Sequence, residues 1–390
     1  MRSDDAGEFS KSSARLRARV GVTSIFFANG FAIGAWAVAI PQMKALFGLS
    51  DAGLSLILLA MGVGSLSAMP VAGLLPARAG GTGRVLQSSG PASAVLLALL
   101  PATHSLPAPI FSLSICAVLF GFLTTLVDVP MNAHASLIER ASGKAIISSF
   151  HAAWSGGGLA GSALGGALIA FGASALMQLF ASAAVVIFIA VVASRQIGIG
   201  DTHRGGPVFA LPERRLVGLG VIALLAVFSE ASVTDWSALY LHSELGVSPA
   251  AAASAFSSYA FMMFLGRLAG DAIVRRLGRK RVIVFGAAMI FIGVALVVGK
   301  ATAPAAVVGF CLVGLGVANM VPAVFSASAA AAKSPSIGIA MTATLAYAAY
   351  LGGPPLIGFI AAATNLRTAF VVLLASSVVI ALLAATVRND

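Results

Sequence analysis

The sequence predicts an all-α polytopic membrane protein whose twelve transmembrane helices form two parallel-repeat six-helix bundles. Three observations carry this expectation. Of the 390 residues, 59% are apolar and 9% charged, with a mean hydropathy of +1.00. A water-soluble domain carries about 25% charged residues, so a soluble enzyme is excluded at the outset. The apolar residues fall into long runs of the length, roughly 20 residues, that crosses a bilayer as a helix. The basic residues gather almost wholly on one side of those runs.

In chain order the runs are 20–43, 53–75, 85–103, 109–138, 146–171, 174–194, 215–242, 250–274, 282–300, 304–331, 337–362 and 367–387. The first follows Arg15, Arg17 and Arg19 and is longer than the apolar core of a signal peptide, so it reads as an uncleaved span. The third is the most interrupted, by Ser88, Ser89 and Pro91. Placing the N-terminus in the cytoplasm puts Lys44, Lys300 and Arg367 outside and leaves the other 21 of the 24 basic residues (24 − 3) inside. Adding or removing one span in mid-chain would destroy that asymmetry. Both termini are therefore expected to be cytoplasmic, and the net charge of +11 reads as an insertion signal and not as a nucleic-acid surface. Cys116 and Cys311 each sit inside an apolar run, which argues against a disulfide framework or a zinc cage.

The chain also matches itself. Asn29 and Gly48-Leu49-Ser50, with Trp36 between, resemble Ser229 and Gly246-Val247-Ser248, with Trp236 between. Cys116 to Gly121 resembles Cys311 to Gly316, and Ala72-Gly73 before Arg78 resembles Ala269-Gly270 before Arg275. The shared offset predicts an N-terminal six-helix bundle over 1–194, a cytoplasmic linker over 195–214 and a C-terminal six-helix bundle over 215–390. Parallel repeats of this kind place the substrate site between the halves.

The stretch Gly266-Arg267-Leu268-Ala269-Gly270-Asp271, followed by Arg275-Arg276-Leu277-Gly278-Arg279-Lys280-Arg281, resembles the signature loop of the major facilitator superfamily between helices 8 and 9. The copy after helix 2, from Gly73 through Arg78 to Arg84, keeps glycines and arginines but lacks the acid. In helix 4, Asp128-Val129-Pro130-Met131-Asn132 is similar to the acid-x-x-x-Asn pattern of the fucose–proton symporter branch and related bacterial members. Phe150-His151, Trp154-Ser155-Gly156 and Gly353-Pro354-Pro355 fit the same neighbourhood. The resemblance implies a transporter with the major facilitator fold, a proton-coupling role for Asp128, and a gating role for the loop residues Arg267, Asp271, Arg275 and Arg276. The branch has its second carboxylate in helix 1; here that run offers Asn29 and Gln42 instead.

The residues themselves narrow the chemistry. An ionisable side chain in a span costs about 2.5–3.5 kcal/mol on insertion scales and calls for a partner or a cavity. Asp128, His151, Glu230, Asp235 and Asp271 qualify. Thr124, Asp128 and Asn132 lie four apart and share one helix face. Asp128 has no cation in its own span, and His151 lies at a comparable depth, so the two are expected to face each other and share a proton. Glu230, deep in helix 7, is the further candidate for proton coupling. Asp235, five residues on, points elsewhere and is expected to anchor an outer gate with Trp236 and Tyr240. Asp271 is expected to clamp Arg267, Arg275 and Arg276.

For the solute, Asn29, Trp36, Thr124, Asn132, Trp154, Tyr259, Asn319, Tyr347 and Tyr350 offer aromatic faces with amide and hydroxyl groups, which suit a polar, ring-bearing molecule such as a sugar. No Arg or Lys is placed in mid-span, which disfavours multiply charged phosphates. Gly157, Gly161 and Gly165, with Gly158, Ser162 and Gly166 in the next register, form a small-x-x-x-small stripe for close helix packing. No phosphate loop, zinc helix motif or nucleophile elbow is present. The expectation is a non-enzymatic, proton-coupled secondary transporter of a small polar solute, without cofactor or metal, monomeric and embedded in a bacterial inner membrane. A proton-driven efflux antiporter for drugs or metabolites is the alternative.

Overall fold

The computed structural model describes residues 3–142, 146–197, 213–332, 335–385 and 387. Among these, all regular structure is helical: α1 (Ser3–Leu46), α2 (Asp51–Ala79), α3 (Thr82–Ala102), α4 (Pro109–Ser142), α5 (Ile147–Ala170), α6 (Ala175–Ile197), α7 (Val217–Leu239), α8 (Pro249–Leu268), α9 (Gly270–Leu277), α10 (Arg279–Lys300), α11 (Ala303–Val317), α12 (Met320–Ala331), α13 (Pro335–Ala363) and α14 (Leu366–Ala384). A single π-helical turn, Tyr240–Glu244, extends α7. Most of the linker expected over 195–214 lies outside the described residues, as do Arg2, Lys144, Arg204, Lys333 and Arg388 of the charge asymmetry.

Ten of the described helical segments are long and apolar enough to cross a membrane. With α5 and α8, whose Gly, Ser and polar residues dilute their apolar content, they make the twelve spans. The tenth expected span is not one rod: it breaks at Ala318–Asn319 into α11 and α12. Prolines at 91 and 101 sit inside α3 without ending it, as membrane helices allow. Large apolar side chains such as Phe111, Phe171, Phe180, Phe188 and Leu382 are exposed on the outside of the bundle, as lipid contact requires.

Each half repeats the other's packing. In the first, α1 packs on α5 and α6, α2 on α4, and α3 on α4 and α6; in the second, α7 packs on α13 and α14, α8 on α11, and α10 on α11 and α14. The repeat extends to the turns. Gly48 and Gly246 both hold left-handed backbone at φ 60° and 66°. Ser50 and Ser248 then each cap the following helix by accepting the amide of Gly53 or Ala251. The halves meet mainly through α5 against α8 and α2 against α13.

The small-residue stripe on α5 serves two partners, one per register. A Cβ on Gly157 or Gly161 would overlap the backbone carbonyl of Phe27 or Phe31 on α1, and one on Gly30 or Gly34 of α1 would overlap that of Trp154 or Gly158. The two helices of one half thus touch backbone to backbone. The other register faces the second half: Gly158 lies against Phe256, Gly166 against Ala253, and the Ser162 and Ser257 hydroxyls hydrogen-bond at 2.8 Å.

Candidate functional site

Helix direction decides where the charged side chains go. Side chains tilt toward the N-terminus of their helix. Arg267 is near the last turn of α8, at the arginine-rich end of the bundle, and the N-terminus of α8 is at the opposite end. Its side chain is therefore carried back into the protein. Glu230 on α7, which runs the other way, leans toward it, and the guanidinium Nη2 stands 3.8 Å from Glu230 Oε1 with both side chains largely buried. The same guanidinium donates to Ser155 Oγ at 2.7 Å and, more weakly, to the His151 carbonyl at 3.4 Å. It also lies over the Trp154 ring, 5.4 Å from its centroid. Trp154 in turn donates its indole N–H to Asn29 Oδ1 at 2.8 Å, which fixes the ring.

The second acid of the site is Asp128 on α4. Asn132, one turn further along α4, donates to its Oδ1 at 3.3 Å and to its carbonyl at 2.9 Å. Asp128 lies within electrostatic reach of Glu230 and Tyr347, and Tyr350 feels both acids together with Arg267. The Tyr347 and Tyr350 rings are 6.3 Å apart. Tyr259, buried on α8, lies within electrostatic reach of Glu230 and Arg267. The site thus draws α1, α4 and α5 from one half and α7, α8 and α13 from the other. It holds two carboxylates, one guanidinium, three tyrosines, a tryptophan and two amides.

Several expectations change. Arg267 does not belong to a cytoplasmic clamp around Asp271; it reaches into the site as the counter-ion of Glu230, so a cation is present at the depth thought to lack one. Asp271 instead accepts a hydrogen bond from Ser148 Oγ at 2.6 Å, across the halves, while Arg275 and Arg276 follow it on α9. His151 does not pair with Asp128: its ring stands edge-on to Phe26, at 5.4 Å, and its neighbouring charge is Arg267.

Thr124 bonds back to the Phe120 carbonyl and, with Asn29, lines a small space inside the first half. Trp36 is buried in the apolar core. Asn319 is a structural clasp, donating to the Gly266 carbonyl at 2.8 Å where α11 breaks. Tyr240 is core as well, its hydroxyl on the Val297 carbonyl at 2.8 Å and its ring edge-on to Phe310 and Phe370. Trp236 lies at the outer contact between halves, where Gly358 leaves room for it and for Ser55 of α2. Ser148 and Ser155 carry no sequence signal of their own; helix direction and side-chain tilt are what would have led to Arg267.

Two parallel six-helix repeats around a polar site at their interface define a membrane transporter of the alternating-access architecture. The family model for the Major Facilitator Superfamily matches residues 219–390. An uncharacterized MFS-type transporter of Yersinia pestis is 36% identical over 355 residues, covering 90% of this chain and 91% of that protein. An uncharacterized transporter of Sinorhizobium fredii is 32% identical over 374 residues, covering 95% and 98%. The chain belongs to the major facilitator superfamily. Among solved structures, the D323A mutant of the nucleoside transporter NupG aligns with a TM-score of 0.75 at 14% identity, covering 95% of this chain and 100% of that one. FucP in its outward conformation aligns at 0.67 and 15%, covering 95% and 98%. At such identities these two establish the fold alone.

Proposed function

We propose that the protein is a proton-coupled secondary active transporter of a small polar, sugar-like solute, working by alternating access in the bacterial inner membrane with both termini cytoplasmic. The observation that carries this reading is Asp128, an acid whose hydrogen-bond partner is a neutral amide and which lies within electrostatic reach of Glu230, the partner of Arg267 in the other half. One guanidinium stands against two carboxylates, so the site has a place for one proton, and a carboxylate in an apolar span is costly to hold ionised without a counter-ion. Asp128 is the coupling site and Asn132 orients it. Trp154, Tyr259, Tyr347, Tyr350 and Asn29 offer ring faces and hydrogen-bonding groups to the solute. The nucleoside transporter NupG and the fucose:proton symporter FucP, which share this fold, move polar, ring-bearing cargoes.

The test is reconstitution into proteoliposomes with hexoses, nucleosides and hydroxylated acids supplied under an inward proton gradient. Asp128→Asn mimics the protonated form. It should bind the solute and exchange it across the membrane, yet fail to concentrate it. Gradient-driven accumulation at the wild-type level in Asp128→Asn would refute the assignment.

A further inference from the structure

Arg267 is held less tightly than a structural ion pair requires. Its separation from Glu230, 3.8 Å, is beyond hydrogen-bonding distance. Among the described residues both of its hydrogen bonds, to Ser155 and to the His151 carbonyl, use Nη1. Its remaining N–H groups form the planar fork that suits a carboxylate. Two turns earlier on the same helix, the Tyr259 hydroxyl is buried with no partner among the described residues. A buried polar group without a partner is expensive, and here it lies within electrostatic reach of the same guanidinium and carboxylate. The plane of the guanidinium is set from behind by Trp154, which Asn29 holds in place.

We propose that the transported solute carries one carboxylate and that Arg267, with the Tyr259 hydroxyl, is its receptor. The proposal rests on the transport reading above and names the substrate class: a hydroxylated monocarboxylate, such as a sugar acid. In the unloaded protein Glu230 neutralises Arg267. The arriving carboxylate takes that place, and Glu230 takes up a proton from water, because two carboxylates sharing one guanidinium would leave an uncompensated buried charge. Solute binding is thereby tied to proton uptake at Glu230, a second titrating group beside the coupling acid Asp128. The charged and titratable groups within electrostatic reach of Glu230 are Arg267 and Tyr259 from α8, Tyr350 from α13 and Asp128 from α4; His151 of α5 is within reach of Arg267, and Tyr347 of Asp128. With a single guanidinium for two acids, a monoanion is matched and a polyphosphate is not.

The experiment is calorimetric titration of the purified full-length protein with D-glucuronate, D-gluconate, lactate and D-glucose near neutral pH, in buffers of different ionisation enthalpy. At least one carboxylate should bind about tenfold or more tightly than glucose, the factor expected for a charge-assisted bond, and one proton should enter per ligand bound. Glu230→Gln should bind the carboxylate without proton uptake, and Arg267→Lys, which keeps the charge but loses the fork, should lose the preference over glucose. Glucose binding as tightly as every carboxylate, no carboxylate binding at all, or undiminished proton uptake in Glu230→Gln would each overturn the proposal. Gradient-driven uptake of glucose without carboxylate binding would overturn this inference and leave proton-coupled transport standing. Carboxylate binding at Arg267 without gradient-driven uptake would do the reverse.

Discussion

The hydrogen bond between Ser148 and Asp271 joins the two halves at the arginine-rich end of the bundle, at 2.6 Å. It persists only while the ends of α5 and α8 stay together there, so it weights one conformational state over the other. A bond to an ionised group contributes about 1.5–3 kcal/mol when buried. Both residues are half-buried, so solvent screening brings the contribution to about 1–2 kcal/mol. Ser148→Ala removes the donor and leaves the carboxylate unpaired across the seam. The population with those ends closed should fall about five- to thirtyfold relative to the open one. Spin labels at Arg140 and Leu277, on exposed sites of opposite halves at that end, report it as a longer distance. A second pair at Leu106 and Lys300, at the other end, should shorten. Ser148→Thr, which keeps the hydroxyl, should restore the wild-type distributions. Unchanged distributions at both ends in Ser148→Ala would refute the latch.

Three further outcomes follow from the packing. Gly161→Val drives a side chain into the Phe31 carbonyl and should cost about 1–3 kcal/mol as overpacking, read as a lower unfolding temperature in detergent; an unchanged temperature contradicts the close α1–α5 contact. Tyr240→Phe strips the hydroxyl from the Val297 carbonyl and should cost about 1 kcal/mol while leaving solute affinity unchanged, since Tyr240 is core; an affinity loss would return it to the gate. Single cysteines at Lys44 and Lys300 should react with a membrane-impermeant maleimide added outside cells and one at Arg140 should not, and the reverse pattern would invert the topology.

The twelve spans and their repeat were legible because they rest on composition and on turn chemistry: the same Gly and Ser appear at 48 and 50 and at 246 and 248, and both sets perform the same turn and cap. Asp128 with Asn132 was legible because a four-residue spacing fixes a shared face within one helix. The partners of Glu230, Asp271 and His151 were not, because each lies on another helix and depends on which way that helix runs. Counting residues from the membrane surface puts Arg267 with the loop cations, yet its side chain spans the difference between loop and site. Depth alone likewise suggested that His151 meets Asp128, but rotation about α5 turns its ring to Phe26. The break at Ala318–Asn319 had no sequence mark, since Asn319 clasps the Gly266 carbonyl only once the two helices are packed.

The two faces of α5 differ in kind, and that difference bears on how the site opens. Toward α1, glycines on both helices bring carbonyl and Cα into contact, so that even one added methyl group collides with backbone. Such a seam cannot shift by an ångström without overlap, and it binds α5 to its own half as one body. Toward α8 and α9 the contacts are of another sort: Gly156 against Phe264, Gly158 against Phe256, Gly166 against Ala253, with three ties between side chains among the described residues, Ser148–Asp271, Ser155–Arg267 and Ser162–Ser257. Gly156 and Gly158 leave ordinary van der Waals room against flat rings, though Gly166 is tight against Ala253, and the polar ties are few enough to exchange. The middle tie shares its guanidinium with the candidate site, because Arg267 belongs at once to the seam and to the site. A solute carboxylate that replaced Glu230 on Arg267 would pull on the same guanidinium that holds Ser155 across the seam, so binding would bear on the contact between the halves with no relay of intervening residues.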